Sequence, residues 1–452
     1  MTNATDENTL IGDSLHLFAA RAHEEAARRD PIIVREAKGI TITDLDGREY
    51  LDGLSGIWVV NIGHGNQAVI DAMINQIQRF SFSWPEGTLN APAIRLARLL
   101  TDISPAQLTT VTLLNSGSEA TEAAMKLAHQ YFSQTGHPRK TKIISRYLSW
   151  HGSTMGALSM GGTTGWKEPF GPFLGECRHV PPHYCYRCPY SLAYPACDVV
   201  CARMIERVIE WEDPETVAAV IVDPVMVSAG ILVPPREYLQ IVRDICHRTD
   251  TLLIFDEVIT GFGRTGKMFA MDTFEVVPDI LAIAKGMSSG YAPLAAIIAS
   301  QTLADAFLGK ECGFRHGHTF GGNPVSATTG VANITQMLQN RLIENAEAVG
   351  AHLQRQGRSM YNFPMVGDVR GVGMLLGIEL VADRHTRAPY PPSVEPGLQV
   401  QAACRRRGLL IRASPDWVAL APPLITTPVD VDNMLEIVGD SIQEVQAEIQ
   451  SV

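Results

Sequence analysis

Two short stretches decide how this chain folds: Leu252-Leu253-Ile254-Phe255-Asp256-Glu257-Val258 and Pro278-Asp279-Ile280-Leu281-Ala282-Ile283-Ala284-Lys285-Gly286. In each stretch a run of apolar residues leads to a charged residue, an acid in the first and an amine in the second. Apolar runs of this length, without polar alternation, predict strands that are buried on both faces of a parallel sheet. Because ligands of open α/β sheets bind at the carboxyl ends of the strands, we expect Asp256 and Lys285 to face one site.

The pair of residue types suggests one kind of chemistry. A lysine that forms a Schiff base and an acid that keeps a pyridinium nitrogen protonated are the protein's contribution to pyridoxal-phosphate chemistry. Taken alone, however, Asp256 and Lys285 are explained equally well as an ordinary aspartate and lysine at two strand ends. The rest of the chain has to decide between these interpretations.

Composition limits the class of protein. The 452 residues are 46% hydrophobic and 19% charged, which is typical of a soluble globular protein with two domains. The formal net charge is −11, and Arg405-Arg406-Arg407 is the longest basic run, so we expect no nucleic-acid partner. Asp223 interrupts the best candidate for a membrane span, and the first residues lack the pattern of a secretory signal. The sequence therefore predicts a cytoplasmic protein without membrane contact.

Four of the eight cysteines are clustered, at Cys185, Cys188, Cys197 and Cys201. Such spacing in a cytosolic protein suggests a structural zinc site before it suggests disulfides. A thiol-rich loop that binds no metal is the alternative, and the sequence leaves both open. We expect no metal at the active site itself.

A candidate phosphate site follows the predicted strand Val111-Thr112-Leu113-Leu114. A turn leads from this strand into a predicted helix; its sequence is Asn115-Ser116-Gly117-Ser118-Glu119. The first backbone N–H groups of that helix and the positive end of its dipole favour the binding of a phosphate. Ser116 or Ser118 is also suited to cap the helix, and the two functions are compatible.

Two further stretches have alternative interpretations. The first has the glycine spacing of a dinucleotide-binding fingerprint, Gly261-Phe262-Gly263-Arg264-Thr265-Gly266. Because the residues after it are a poor start for a helix, we interpret it as a loop. Arg264 in this loop is a candidate partner for a carboxylate. The second stretch is rich in aromatic residues: Phe80-Ser81-Phe82-Ser83-Trp84-Pro85. It predicts a hydrophobic anchor, a pocket wall or a subunit contact.

The chain changes character after about residue 325. Alternating strands and amphipathic helices follow, and they predict an α+β domain that packs with a small antiparallel sheet and a helix (residues 13–28) near the N-terminus. We therefore predict a large domain at 61–325 and a small domain formed by 1–60 and 326–452.

Together these stretches resemble the class III aminotransferases, specifically the pyruvate-dependent omega-transaminases. The resemblance covers nearly the whole chain and rests on four motifs: Asn115-Ser116-Gly117-Ser118-Glu119-Ala120, Phe255-Asp256-Glu257-Val258-Ile259-Thr260-Gly261-Phe262-Gly263-Arg264, Ala284-Lys285-Gly286 and His316-Gly317-His318-Thr319-Phe320. It implies the type I fold of pyridoxal-phosphate-dependent transferases, an α/β fold in which helices flank a mainly parallel sheet and a smaller α+β domain comes from both termini.

The resemblance also implies roles for the opening pair. Lys285 would hold pyridoxal 5'-phosphate as an internal aldimine and then carry the proton of the 1,3-shift. Asp256 would keep the pyridine nitrogen protonated. The other residues implied to bind the cofactor are Gly117, Ser118, Trp150, His151, Val258 and Thr319. Thr319 would reach the phosphate in the neighbouring subunit, because the family is dimeric with active sites at the interface, and the dimers could pair into tetramers.

Substrate residues are implied at Trp58, Trp84, Trp150 and Arg412. Arg412 corresponds to the family's mobile arginine, which binds the carboxylate of the keto acid, although a surface arginine on a strand edge is the alternative. Trp150 stands where the family usually has tyrosine, so a phenol hydroxyl is lost and the pocket should be more crowded. The implied reaction is a ping-pong transfer of an amino group from an amine or omega-amino acid to a keto acid, with pyruvate favoured; the alternative is an aminomutase or racemase.

Overall fold

A computed structural model describes residues 31–85, 87–309 and 313–451. Its centre is a seven-stranded sheet with the strand order β4-β10-β9-β8-β7-β5-β6. These strands are β4 (Leu108–Leu114), β5 (Lys142–Arg146), β6 (Cys177–Val180), β7 (Val217–Val222), β8 (Leu252–Asp256), β9 (Ile280–Ile283) and β10 (Ala295–Ser300).

The two opening stretches form neighbouring strands of this sheet, as predicted. β8 and β9 pair in parallel, with Asp256 opposite Ala282, and every residue of both strands is buried. β10 runs antiparallel to both of its neighbours, so the sheet is mixed although mainly parallel. Because β8 and β9 end at the same edge, they deliver Asp256 and Lys285 to one side of the sheet.

Helices cover the sheets and connect the strands. Their bounds are Ser55–Trp58, Gln67–Arg79, Ala91–Asp102, Gly117–Gln134, Met155–Met160, Thr164–Lys167, Val200–Trp211, Tyr238–Arg248, Ala270–Phe274, Gln301–Asp305, Pro324–Gln339, Leu342–Gly357, Pro396–Arg406 and Pro428–Gln450, with 3-10 turns at Pro214–Thr216, Val227–Ala229, Lys285–Met287 and Arg358–Asn362. Within the described ranges, none of these helices is both long enough and apolar enough to cross a membrane.

Two four-stranded sheets lie outside the central one. The first has the order β1-β2-β3-β13 and the second the order β11-β12-β15-β14. Their strands are β1 (Val34–Lys38), β2 (Thr41–Asp44), β3 (Glu49–Asp52), β11 (Val366–Val372), β12 (Leu375–Leu380), β13 (Leu409–Leu410), β14 (Arg412–Ser414) and β15 (Trp417–Leu420).

The N-terminal and C-terminal parts of the chain meet in the first of these small sheets. β3 and β13 pair in parallel, with Leu51 opposite Leu409. This pairing supports the predicted division into a large domain (61–325) and a small domain (1–60 and 326–452), which stays a prediction. The helix predicted at residues 13–28 lies outside the described residues.

Candidate active site

A cavity of about 430 Å³ at the carboxyl ends of β8 and β9 collects most of the predicted site residues. The predicted residues that line it are Gly117, Ser118, Trp150, His151, Asp256, Val258 and Lys285. They come from widely separated parts of the sequence, and the order of strands in the central sheet brings them together.

Asp256 is fixed by its neighbours. It ends β8 and is 5% exposed. Its Oδ1 accepts a hydrogen bond from the backbone N–H of Val258 (3.1 Å), and its Oδ2 lies 2.8 Å from Nδ1 of His151. The buried His151 reaches Oγ of Ser145 with its other ring nitrogen, at 3.1 Å. A carboxylate that accepts a hydrogen bond from Nδ1–H would fix both the tautomer and the orientation of this imidazole.

Lys285 follows β9 and begins a 3-10 turn. Its backbone has φ of +43°, in the left-handed region that non-glycine residues rarely adopt. Its Nζ lies 5.4 Å from the ring centroid of Trp58, a residue that is 4% exposed. Trp58 therefore lies close to the amine of Lys285, although it does not line the cavity, and its role towards the substrate stays a prediction.

The N-terminus of helix Gly117–Gln134 opens into the same cavity. Ser116 is its cap, because Ser116 Oγ accepts a hydrogen bond from the N–H of Glu119 at 3.3 Å. Ser118 Oγ accepts from the N–H of Ser153 at 2.9 Å, which leaves the hydroxyl proton for another partner. A Cβ on Gly117 would lie 2.8 Å from Cγ1 of Val258, so only glycine allows the helix start to approach this wall.

This arrangement fits pyridoxal phosphate. A helix N-terminus suits the phosphate, the buried carboxylate of Asp256 suits the pyridinium nitrogen, and the amine of Lys285 suits the aldehyde. Trp150 contributes an aromatic wall and is itself in edge-on contact with Trp166, at 5.3 Å between ring centroids and 64° between the planes. Compared with a tyrosine, this indole keeps an aromatic wall but lacks the phenol hydroxyl and the hydrogen bonds that it would make.

Two predicted residues lie elsewhere. Thr319 and Trp84 line a second cavity of about 750 Å³, with Phe82 and His318, and they do not line the cavity of Lys285. Thr319 is exposed, and Trp84 is 58% exposed. Within one chain, neither residue therefore contacts the Lys285 cavity.

Arg412 does not line the cavity of Lys285 either. It begins β14 opposite Ala419 of β15 and is half-buried. Ala419, which lies in the neighbouring strand β15, belongs to the same hydrophobic cluster as Trp58.

The prediction for Arg264 is wrong. Its guanidinium is fully buried and donates hydrogen bonds to the carbonyl oxygens of Ala421 (3.0 Å) and Pro422 (2.6 Å) and to Oδ1 of Asn61 (2.7 Å). These bonds tie the loop after β8 to the C-terminal part of the chain. Arg264 is thus a structural crosslink rather than a partner for a substrate carboxylate.

Sequence reasoning missed Asp223, which also lines the cavity. It follows β7, and Oδ1 lies 2.5 Å from Nη2 of the fully buried Arg146. Burial raises the pKa of the Asp223 carboxyl, while the positive charge of Arg146 opposes that rise. The available signal was its position directly after a buried strand, the same signal that identified Asp256.

The cysteine cluster has no metal-site geometry in the described part of the chain, where no three histidine, cysteine or acidic side chains are placed to hold a metal ion. Its four members are free thiols. Burial raises the pKa of the Cys201 thiol to about 12. The thiol-rich loop and the structural zinc site both stay open as interpretations of the cluster.

The comparisons with known proteins agree with this site. The family model "Aminotransferase class-III" matches residues 23–442. The adenosylmethionine-8-amino-7-oxononanoate aminotransferase of Nitratidesulfovibrio vulgaris is 38% identical over 418 residues, which are 91% of this chain and 77% of that protein.

Solved structures extend the comparison. An (S)-enantioselective omega-transaminase from Thermomicrobium roseum has a TM-score of 0.95 at 35% identity, covering 98% of this chain and 100% of that chain. An amine transaminase from an uncultivated Pseudomonas species, in its PLP-bound (internal aldimine) form, has a TM-score of 0.92 at 32% identity, with 95% and 98% covered. The chain therefore belongs to the class III aminotransferases and, with their type I fold, uses pyridoxal 5'-phosphate to transfer amino groups.

Proposed function

We propose that this aminotransferase is an omega-transaminase, which moves an amino group from an amine or omega-amino acid to a keto acid, with pyruvate as the favoured acceptor. One observation carries the proposal: the carboxylate of Asp256 and the amine of Lys285 line a single cavity whose further walls are largely apolar. The amino group is first taken from the donor and then given to the acceptor, and both half-reactions would use this one cavity. Donor and acceptor would therefore bind in turn, in a ping-pong mechanism.

Different residues of the chain would have different roles in this reaction. Asp256, held by His151 and by the N–H of Val258, holds a proton on the pyridine nitrogen. Bound pyridoxal phosphate supplies an electron-withdrawing ring, which makes the proton on the amine-bearing carbon more acidic. Lys285 Nζ would take up that proton and return it in the 1,3-shift. The N-terminus of helix Gly117–Gln134, with Ser118, binds the phosphate.

The walls of the cavity support an apolar donor. Among the described residues that line it, Lys285 is the only lysine or arginine. The apolar lining residues are Ile57, Val59, Trp150, Val225, Val258, Ile259, Ala284, Ala292, Pro293 and Leu294. A donor whose side chain carries a carboxylate would lack a cationic partner there, whereas a hydrophobic amine would bury its side chain favourably.

The keto acid has a carboxylate and therefore needs a cation. We assign this role to Arg412, which pairs with Ala419, a residue in the hydrophobic cluster of Trp58, and would have to swing towards the cavity. With a hydrophobic amine, Arg412 would stay away from the cavity. Trp150, which lines the cavity, limits the size of the substrate that fits beside Lys285, and Trp58 lies 5.4 Å from Nζ of Lys285.

We further propose a homodimer that completes each site with Thr319 from the neighbouring subunit. Thr319 and Trp84 lie on one exposed face together with the exposed aromatic side chains of Phe82 and Phe320, which are in edge-on contact at 6.0 Å. An exposed aromatic face of this kind is typical of a subunit contact.

The visible absorbance of the purified protein tests the central role of Lys285. We expect the wild type to show the band of a protein-bound Schiff base after pyridoxal phosphate is added, and the Lys285→Ala variant to lack it. Lys267→Ala is the matched control, because Lys267 is half exposed and forms an ion pair with Glu347 on the surface. A Lys285→Ala variant with an unchanged band would contradict the proposal.

The same preparation separates a transaminase from an aminomutase or racemase. A transaminase mixed with an amine alone should accumulate the aminated cofactor, and the original band should return only when pyruvate is added. Recovery of the band without any keto acid would indicate that the enzyme rearranges or racemises its substrate. A screen of donors and acceptors then identifies the preferred pair.

A further inference from the structure

The backbone at Lys285 is held in an unfavourable conformation. Lys285 has φ of +43° and is followed by a 3-10 turn, and Ser289, at the end of the same segment, has φ of +49°. Non-glycine residues in this region are strained and persist only where the surrounding structure holds them there. The contacts of the turn therefore decide where Nζ of Lys285 lies.

Asn333 supplies such a contact from helix Pro324–Gln339. Its side chain is fully buried, and Nδ2 donates hydrogen bonds to the carbonyl oxygens of both Gly286 and Met287, each at 2.8 Å. Both partners are acceptors, so only the NH₂ group of the amide can face them. One side chain thus fixes the carbonyl groups of the two residues that follow Lys285.

The opposite side of the turn is blocked by Asn61. A Cβ on Gly286 would lie 2.4 Å from Nδ2 of Asn61. Asn61 cannot retreat easily, because Nδ2 donates to the carbonyl oxygen of Phe262 (2.7 Å) and Oδ1 accepts from Arg264 (2.7 Å). Gly286 is therefore packed between Asn61 on one side and the amide of Asn333 on the other.

We propose that Asn333 is a positioning residue, which holds the Lys285 turn so that Nζ points into the cavity and reacts with the aldehyde of pyridoxal phosphate. The inference rests on the proposed function, because it takes Lys285 as the residue that binds the cofactor covalently. Asn333 itself does not line the cavity, so it acts only through the backbone of Lys285–Met287.

The experiment measures how fast the apoenzyme binds pyridoxal phosphate covalently, by the growth of visible absorbance and by mass after borohydride reduction. Asn333→Ala removes both hydrogen bonds, and we expect attachment to slow by about tenfold, the effect of one to two net hydrogen bonds. Should Asn333→Ala fail to fold, Asn333→Ser keeps one donor and is measured in the same way.

Asn345 provides a matched control on helix Leu342–Gly357. Its Nδ2 also donates to two backbone carbonyl oxygens, those of Leu424 (2.6 Å) and Thr426 (3.1 Å), in a loop that does not line the cavity. Asn345→Ala should change stability to a similar extent but leave the rate of attachment within about twofold of the wild type.

The same substitution in the Lys285→Ala variant separates an effect on the position of Lys285 from a general loss of cofactor binding. In Lys285→Ala protein no covalent bond forms, and Asn333→Ala should leave the dissociation constant for noncovalent pyridoxal phosphate unchanged. An unchanged attachment rate in Asn333→Ala, or an equal loss of cofactor affinity in both backgrounds, would overturn the inference. Neither result affects the assignment of Lys285, which fails only if Lys285→Ala keeps the visible band.

Discussion

At the scale of single residues, His151 connects two parts of the site that the sequence separates. It lies next to Trp150 in the chain, and its Nδ1 is 2.8 Å from Oδ2 of Asp256. Ser145 binds the other ring nitrogen of His151. The position of the imidazole is therefore linked both to the carboxylate of Asp256 and to the backbone next to Trp150. A substitution at His151 would therefore disturb both the carboxylate of Asp256 and the aromatic wall formed by Trp150.

Arg412 allows a prediction at the same scale. Arg412→Ala should lower kcat/KM for pyruvate at least about tenfold while leaving aldehyde acceptors nearly unaffected, because only the keto acid offers a carboxylate for charge-assisted hydrogen bonds. Steady-state kinetics with a matched acid and aldehyde pair measure the difference. Arg207→Ala, on the surface of helix Val200–Trp211 and paired with Glu210, is the control. An equal loss for acids and aldehydes would remove Arg412 from this role.

At the scale of elements, the sequence predicted what local patterns determine. The buried runs at 252–256 and 280–283 and the cap at Ser116 appear where the pattern indicates. The strand β10 (Ala295–Ser300) was missed, although it is equally apolar. Its antiparallel pairing could not be predicted either, because an apolar run does not encode the direction in which a strand pairs. The wrong role for Arg264 has a similar origin, since its partners, Ala421 and Pro422, are more than 150 positions away.

The last helix provides an element-scale prediction. Thr427 caps Pro428–Gln450 through a capping box, in which its Oγ1 accepts from the N–H of Asp430 (3.3 Å) and its own N–H donates to Oδ2 of Asp430 (2.8 Å). Thr427→Ala should lower the free energy of unfolding by about 1 kcal/mol, as measured by urea denaturation. Thr427→Ser keeps the hydroxyl and should lose little. The visible cofactor band should be the same in both variants, since Thr427 does not line the cavity.

At the scale of the whole molecule, one chain holds most of the predicted site but not all of it. Seven of the predicted cofactor and substrate residues line one cavity, whereas Thr319 and Trp84 lie together at another. The residues alone did not show which site Thr319 serves, and the resemblance alone implied that it reaches the neighbouring subunit. The exposed aromatic side chains on this face support the proposed contact with a second copy.

Trp84→Glu should therefore convert the dimer to monomers. Trp84 is 58% exposed in the single chain, and a carboxylate placed in a buried aromatic contact would cost several kcal/mol of association free energy. Light scattering after size exclusion gives the mass, and the dissociation constant for pyridoxal phosphate should rise in parallel, because the separated chain lacks the partner's contribution to the phosphate site. Trp211→Glu is the control, since Trp211 is 74% exposed at the end of helix Val200–Trp211 and does not line either cavity. A Trp84→Glu dimer of unchanged stability would show that this face is not the subunit contact, and Thr319 would then need another role.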